Sequence, residues 1–303
     1  MKYFLAVDGG GTKTISAVFD SDGCRLSEGL SKSANALLSS IDEATDNVIE
    51  SCSLALAKAG LAFSNIEKIY LFIPGFGECI DNFSHKVGAE CVLEKEGNAL
   101  HYSAFRGKDG VIALAGTGSF AVTYYNDNVY KAGGWGTIYG DEGSGYEIGA
   151  KALRLCAIAF DEGRETELLC AVKKELNIQD FNDTRGYIYG NKDSRRIVAG
   201  LCKVVCQKAQ ESESESVEIL KECAHNLAEL TMRSFTMSGS RSLRVCLSGG
   251  VSNCKMYVDE FAKQIAILSQ GELNYIESEL SIIDGAILYA LSLNGIIVED
   301  KLL

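Results

Sequence analysis

A glycine-rich segment near the N-terminus combines residue types that suit phosphate chemistry. It reads Asp8-Gly9-Gly10-Gly11-Thr12-Lys13-Thr14, and we call it the first glycine turn. Successive glycines leave backbone N–H groups unobstructed, which is how proteins cradle phosphates. The Thr12 and Thr14 hydroxyls and the Lys13 charge add polar groups, and the Asp8 carboxylate could hold Mg²⁺ through water. The spacing fits neither a Walker loop nor a dinucleotide-binding fingerprint.

Three later segments add further candidates. The second glycine turn, Gly116-Thr117-Gly118-Ser119, is short and gains weight because it repeats the first. Two glycines, Gly249 and Gly250, follow an apolar run and would let a flat ring or a ribose approach the backbone. The segment 133–149 contains Trp135, the single tryptophan, and Asp141 between glycines. An aromatic face on which a sugar can stack and an acid that accepts hydroxyl hydrogen bonds predict sugar binding.

The elements that must position these residues repeat along the chain. Apolar runs at 2–7 and 111–115 precede the two glycine turns, and a second strand follows each turn, at 15–19 and 120–125. This internal repeat predicts two related domains that face each other. Apolar residues at helical spacing predict helices over 42–59, 217–235 and 284–293. We expect 211–216 (ESESES) to be an acidic loop and 133–149 to lack a regular element.

Length, charge and composition exclude several classes of protein. The chain has 303 residues, and a charge of −12 argues against a nucleic-acid partner. Segments typical of a signal peptide or a membrane-spanning helix are missing, so we expect a cytoplasmic protein with no membrane partner. The eleven cysteines are scattered, and we expect reduced, packed thiols. At roughly 100–200 residues per domain, two domains are expected.

The four motifs together resemble the N-acetylglucosamine kinase-like branch of the BadF/BadG-type ATPase family, within the actin–hexokinase superfamily. The matching pieces are VDGGGTKT (7–14), ALAGTGS (113–119), GGWGTIYGDEGS (133–144) and LSGGVSN (247–253). The resemblance implies an α/β fold of two ribonuclease-H-like domains, 1–109 and 110–303, with an interdomain cleft and a last helix that packs back on the N-terminal domain. It also implies ATP and Mg²⁺ as cofactors and suggests a homodimer.

Site residues follow from the resemblance by position. Asp8 would orient Mg²⁺. The residues around ATP would be Gly10, Gly11, Thr12, Lys13, Thr117, Gly118, Ala199, Gly249 and Gly250. The residues that contact the hexose would be Asn35, Ser119, Gly134, Trp135 and Asp141.

The catalytic base departs from the family pattern. The family usually has an Asn-Asp pair before the second glycine turn, and its Asp receives the proton of the sugar hydroxyl. The nearest match here is Lys95-Glu96, so we expect Glu96 to be the base. A shifted alignment would place Glu94 or Lys95 at that point instead.

The resulting hypothesis is ATP-dependent phosphorylation of an N-acetylated amino sugar, of the N-acetylglucosamine or N-acetylmuramate kind. One alternative is a glucosamine or other hexose kinase on the same fold. Two others are an ATPase that activates a partner enzyme and a non-catalytic sugar sensor, which the altered base would allow. The sequence leaves open which sugar and which hydroxyl take part.

Overall fold

The computed structural model describes residues 2–10, 13–34 and 40–296. Gly11, Thr12 and Asn35, three of the predicted site residues, lie outside this described part. The strands are β1 (Tyr3–Gly9), β2 (Lys13–Asp20), β3 (Arg25–Lys32), β4 (Ile66–Phe72), β5 (Glu90–Leu93), β6 (Gly110–Ala115), β7 (Ser119–Tyr125), β8 (Asn128–Gly133), β9 (Leu243–Ser248) and β10 (Leu273–Ile276).

The helices complete the described secondary structure, together with four short 3₁₀ turns. They are α1 (Ile41–Ala59), α2 (Ile80–Val87), α3 (Glu96–Phe105), α4 (Gly145–Asp161), α5 (Glu167–Glu175), α6 (Thr184–Tyr189), α7 (Ser194–Gly200), α8 (Cys202–Gln210), α9 (Ser214–Ser238), α10 (Lys255–Leu268) and α11 (Ile282–Leu293). The 3₁₀ turns are Phe63–Asn65, Phe76–Cys79, Phe181–Asp183 and Gly250–Asn253.

The chain forms two compact units. The first unit is Met1–Lys108 with Ser278–Leu303, and the second is Asp109–Glu277. The sheet of the first unit has the order β3-β2-β1-β4-β5, and that of the second can be read as β8-β7-β6-β9-β10. In both sheets the three strands that come first in the chain, β1–β3 or β6–β8, pair antiparallel. The other two, β4 and β5 or β9 and β10, run parallel to β1 or β6. The internal repeat predicted from the glycine turns is therefore a repeat of whole sheets.

Helices cover both faces of the first sheet. Helix α1 packs against β2 and β3, and its buried Val48 and Cys52 share a cluster with Leu5 of β1. On the opposite face α11 packs against β1 and α3. Apolar residues occupy most of α11, so it must be buried, and it lies within the first unit although it follows the second unit in the sequence.

The second unit is built around the long helix α9, which packs against β7 and β8 and contacts α4, α8 and α10. Its buried Leu220, Leu227 and Leu230 recur at helical spacing and join the core of this unit. Helix α4 begins at Gly145, where the Ser144 hydroxyl accepts a hydrogen bond from the Glu147 amide and so caps the helix.

Two local predictions were wrong. Residues 211–216 are not all loop, because α9 starts at Ser214. The carboxylate of Glu213 accepts hydrogen bonds from the amides of Glu215 and Ser216, and this cap extends the helix into the acidic run. The segment 133–149 likewise contains the end of β8 and the start of α4. Its glycines there serve close packing: a Cβ on Gly149 would lie 1.8 Å from the Val198 carbonyl oxygen.

The eleven cysteines are free thiols, seven of them buried. Within the described ranges, no helix is both long and apolar enough to cross a bilayer.

Candidate active site

The first glycine turn joins the antiparallel strands β1 and β2. The Gly10 amide donates to the Lys13 carbonyl oxygen at 3.1 Å and closes the turn. The Ser33 hydroxyl donates to the Gly10 carbonyl oxygen at 2.9 Å, and the Asn47 side-chain amide donates to the Ser33 carbonyl oxygen at 2.7 Å. A Cβ at Gly10 would meet nothing within 4 Å, so open space lies beside this backbone. That space is where a phosphate would need to approach.

Thr14 does not contribute its hydroxyl to this space. Its side chain is fully buried, and its hydroxyl donates to the Lys32 carbonyl oxygen at 2.8 Å, across to β3. The interpretation of Thr14 as a phosphate-binding hydroxyl was therefore wrong. Lys13, in contrast, is exposed at the start of β2.

Two carboxylates come to the same edge of the first sheet. Asp8 lies near the carboxyl end of β1, paired in register with Phe72 of the parallel strand β4. Strand β5 is parallel to β4 and ends at Leu93, and Glu96 opens α3 just beyond it. Because parallel strands end at one edge, Asp8 and Glu96, here called the acidic pair, approach each other although 88 positions separate them in the sequence.

Both carboxyls of the acidic pair have pKa values above the ordinary range of Asp and Glu. Burial raises the pKa of Asp8 to about 6, against the opposing effect of the nearby Lys13 charge. Burial, reinforced by the negative charge of Asp8, raises the pKa of Glu96 to about 7. A carboxyl with a pKa near neutrality is suited to accept a proton during a reaction at physiological pH.

The two other candidates for the base are placed differently. The Glu94 carboxylate accepts hydrogen bonds from the Tyr289 hydroxyl of α11 at 3.1 Å and from the Asn98 side chain at 3.4 Å. Lys95 is exposed at the start of α3. At Glu96 the negative charge of the nearby Asp8 adds to the effect of burial and raises the pKa of the carboxyl.

The acidic pair fits a divalent cation. Mg²⁺ prefers carboxylate oxygens, and it commonly uses one or two of them and completes its shell with water and phosphate oxygens. Burial, reinforced at Glu96 by the negative charge of Asp8, makes the two negative charges costly in the absence of a cation, as the raised pKa values of Asp8 and Glu96 indicate.

The second glycine turn is held by side chains of its own unit. The Ser119 amide donates to Asp141 Oδ1 at 3.1 Å, and Arg195 donates to Asp141 Oδ2 at 2.8 Å. The Ser119 hydroxyl donates to the Glu142 carbonyl oxygen at 2.6 Å. A Cβ on Gly118 would lie 2.7 Å from both Asp141 Oδ1 and Arg195 Nη2, so a larger residue there would displace this ion pair.

The other predicted nucleotide residues of this unit lie around the same turn. Gly249 has a φ of +98°, and a Cβ there would lie 2.4 Å from the carbonyl oxygen of Ala115, the last residue of β6. Gly250 follows it with open space beside its Cα. The Gly145 amide donates to the Gly116 carbonyl oxygen at 2.8 Å, and the Ala199 carbonyl oxygen lies beside Gly145. These contacts link Ala199, Gly249 and the second glycine turn into one neighbourhood at the edge where β6 and β9 end.

The predicted sugar-binding residues of the second unit are also linked. The Gly134 amide donates to the Ser119 carbonyl oxygen at 3.0 Å, and Trp135 follows with 67% of its surface exposed. Asp141 is buried, and both of its carboxylate oxygens accept hydrogen bonds from the protein. The Ser119 hydroxyl is likewise engaged. The structure thus gives Asp141 and Ser119 a supporting role for the turn, which sequence reasoning did not anticipate.

Three residues of this neighbourhood were missed from the sequence. Arg195 could have been found, since it stands four positions before Ala199 and therefore on the same face of α7. Tyr257, fully buried, donates to the Gly143 carbonyl oxygen at 2.6 Å, and Arg233 pairs with Glu142 at 3.0 Å. Both contacts span about a hundred residues, so no local pattern could have indicated them.

Two units with equivalent sheets, each carrying a glycine turn after its first strand, form a two-domain α/β fold. The chain belongs to the BadF/BadG/BcrA/BcrD ATPase family, whose profile matches residues 5–290. The predicted family and fold are therefore confirmed.

Individual relatives span nearly the whole chain. It is 27% identical over 276 residues to the N-acetylmuramic acid/N-acetylglucosamine kinase of Clostridium acetobutylicum, covering 87% of this chain and 90% of that protein. It is 24% identical over 260 residues to the glucosamine kinase of Vibrio cholerae, covering 83% and 86%. A solved structure from Chromobacterium violaceum, described as a candidate N-acetylglucosamine kinase, superposes with a TM-score of 0.79 at 24% identity and covers 95% of this chain and 99% of that one.

Proposed function

We propose that this protein catalyses the ATP-dependent phosphorylation of an N-acetylated amino sugar. The observation that carries the proposal is the acidic pair, two carboxyls with pKa values raised toward neutrality at the sheet edge beside a glycine turn. The family and the relatives named above support it.

In the proposed reaction Glu96 accepts the proton of the attacking sugar hydroxyl. Phosphoryl transfer needs in-line positioning and stabilisation of charge on the transferred group more than covalent help from the protein. The backbone around Gly10 and Gly118, with Lys13 and Thr117, would surround the phosphates. Asp8 would hold Mg²⁺, which neutralises phosphate charge when bound.

The adenosine would lie against Gly249, Gly250 and Ala199. Trp135 offers an exposed aromatic face on which a pyranose ring can stack. Ser119 and Asp141 keep the second glycine turn in shape, and Gly134 is bonded to that turn. These proposed roles rest on the match of each position to the family and on the hydrogen bonds within the second unit.

Glucosamine is the second candidate substrate, because one relative is named a glucosamine kinase. A panel of N-acetylglucosamine, N-acetylmuramate, glucosamine and glucose, with ADP release as the readout, separates the candidates. We expect the N-acetylated sugars to give the highest kcat/KM and ADP release without sugar to be slow.

Three outcomes would contradict the proposal. Fast ADP release that no sugar stimulates would indicate an ATPase that acts on a partner. Sugar binding without transfer at high enzyme concentration would indicate a sensor. A clearly higher kcat/KM for glucosamine than for the N-acetylated sugars would identify glucosamine, the second candidate, as the substrate.

A further inference from the structure

A cavity of about 450 Å³ lies within the second unit and includes no residue of either glycine turn. Helices α4, α6 and α7 form its walls, with Thr137 at one side. Its volume is in the range of small-molecule sites, about 300–1,000 Å³. The residues that line it are Thr137, Tyr146, Ala150, Leu153, Ala157, Phe160, Asp161, Phe181, Asn182, Thr184, Arg185, Ile188, Tyr189, Ser194, Arg195 and Val198.

The lining of the cavity is aromatic and includes two arginines, Arg185 and Arg195. Phe160 and Phe181 lie with ring centroids 5.7 Å apart, and Tyr146 and Tyr189 add two more rings. Two arginines face one acid, Asp161, in a chain whose overall charge is −12. Aromatic rings with a guanidinium are typical of a site for an anion that carries an apolar body.

Arg185 has no partner among the residues that the structure describes. It is exposed on α6 and makes no ion pair or hydrogen bond with any residue that the structure describes. A guanidinium has five N–H donors and suits a carboxylate or a phosphate in a two-pronged contact. An anion entering this cavity would therefore find an unengaged cation at its wall.

Arg195 connects the cavity to the second glycine turn. It lines the cavity and also donates to Asp141 Oδ2 at 2.8 Å, while Asp141 Oδ1 accepts from the Ser119 amide. An anion in the cavity and the Asp141 carboxylate would thus compete for the same guanidinium.

We propose that the cavity between α4, α6 and α7 binds a small organic anion, a carboxylate or phosphate ester on a ring-shaped apolar body, through Arg185 and Arg195. None of the residues that line the cavity is a proposed nucleotide or sugar residue, although Arg195 bonds to Asp141. Occupancy of the cavity is measured by binding and not by turnover. Failure of the kinase proposal would therefore leave this one standing, and the reverse also holds.

The test is a calorimetric titration of the full chain, saturated with Mg-ADP so that the glycine turns are occupied. The probes are 2-naphthoate and 2-naphthyl phosphate, with neutral 2-naphthol as the uncharged control. We expect at least one anionic probe to bind at least ~10-fold more tightly than 2-naphthol, because a charge-assisted contact to a guanidinium is about twice as strong as a neutral one. The tighter of the two probes distinguishes a carboxylate site from a phosphate site.

Two variants locate the site. Arg185→Ala removes the unengaged charge, and Ala150→Phe fills the cavity from α4 without touching that charge. Both should weaken binding of the anionic probe by ~10-fold or more. The matched control is Arg241→Ala, an exposed arginine of the same unit outside the cavity, which should leave binding unchanged. Unchanged thermal unfolding of Arg185→Ala would show that the variant is folded.

The proposal is overturned if neither anionic probe binds more tightly than 2-naphthol, or if Arg185→Ala and Ala150→Phe bind like the unmodified protein. Asp141→Asn tests Arg195 separately, because it removes the competing charge. We expect that variant to bind the anionic probe several-fold more tightly, and an unchanged Kd would remove Arg195 from the site.

Discussion

The two glycine turns occupy equivalent places in two sheets of the same strand order, yet they are held in different ways. The first lies beside the acidic pair, whose pKa values are raised by burial and, for Glu96, also by the negative charge of Asp8. The second follows a strand that ends in the uncharged residues Leu114 and Ala115. It is fixed by Asp141, whose charge is balanced by Arg195.

The difference indicates that the two glycine turns, although they are repeated elements, have different roles. Uncompensated carboxylates cost stability, and proteins keep such groups where they bind a cation or move a proton. A carboxylate whose two oxygens are both satisfied stabilises a backbone shape instead. We therefore propose that the first turn carries the chemistry and that Asp141 has a positioning role at the second.

The largest effect is expected from Asp8→Asn, which keeps the side-chain volume and removes the charge. Loss of the group proposed to hold Mg²⁺ should lower kcat by roughly 10²–10³-fold with every sugar. Steady-state ADP release at saturating ATP and Mg²⁺ measures it, with the exposed Asp81→Asn in α2 as the control. Activity within a few-fold of the unmodified protein would show that the first turn does not hold the nucleotide.

Paired glycine substitutions test the contrast between the turns directly. In Gly118→Ala the new Cβ collides with Asp141 and Arg195, so we expect thermal unfolding several degrees lower and a KM for ATP raised by about tenfold. Gly10→Ala meets no atom of the described protein, so it should leave unfolding unchanged and raise the KM for ATP alone. Equal losses of stability in both variants would remove the distinction between the turns.

A smaller effect is expected on stability. The pKa of Glu96 is about 7 in the folded protein and near 4.5 when the chain is unfolded, so the folded state binds more protons between these values. Stability is lost as the pH rises through this window. Glu96→Gln should therefore stabilise the protein at pH 8 by up to about 3 kcal/mol, at 1.36 kcal/mol for each pKa unit.

At pH 5 the same variant should gain less than about 1 kcal/mol, because Glu96 is largely protonated in the folded state. Urea unfolding at the two pH values, without Mg²⁺, is the measurement. A gain that does not depend on pH would mean that the carboxyl of Glu96 is not held at a raised pKa.

Local sequence patterns were sufficient to predict several elements of the fold. The apolar runs before Asp8 and Gly116 gave the first strands of both sheets, and the helical spacing of Leu220, Leu227 and Leu230 gave α9. Short or mixed elements could not be predicted in this way. Strand β3 alternates poorly because it lies at a sheet edge, and β5 has four residues.

In the candidate site, too, local features could be predicted from the sequence and long-range contacts could not. Glycine turns are local and were visible in the sequence. The pairing of Asp141 with Arg195 joins residues 54 positions apart, and the approach of Glu96 to Asp8 depends on the order of three parallel strands. Such contacts arise only once the sheet exists, so the sequence could indicate Glu96 by resemblance but could not exclude Glu94 or Lys95.

The most direct test of the acidic pair is the kcat of Glu96→Gln compared with that of Glu94→Gln, with N-acetylglucosamine and saturating ATP. Glu96→Gln should lower kcat by ~10²-fold or more with the Kd for ATP nearly unchanged, and it should remove the part of the pH dependence that comes from protonation of Glu96 near pH 7. Glu94→Gln can still accept the Tyr289 hydrogen bond and should retain kcat within about threefold. Full activity in Glu96→Gln, with the loss in Glu94→Gln instead, would contradict the assignment of Glu96 as the base.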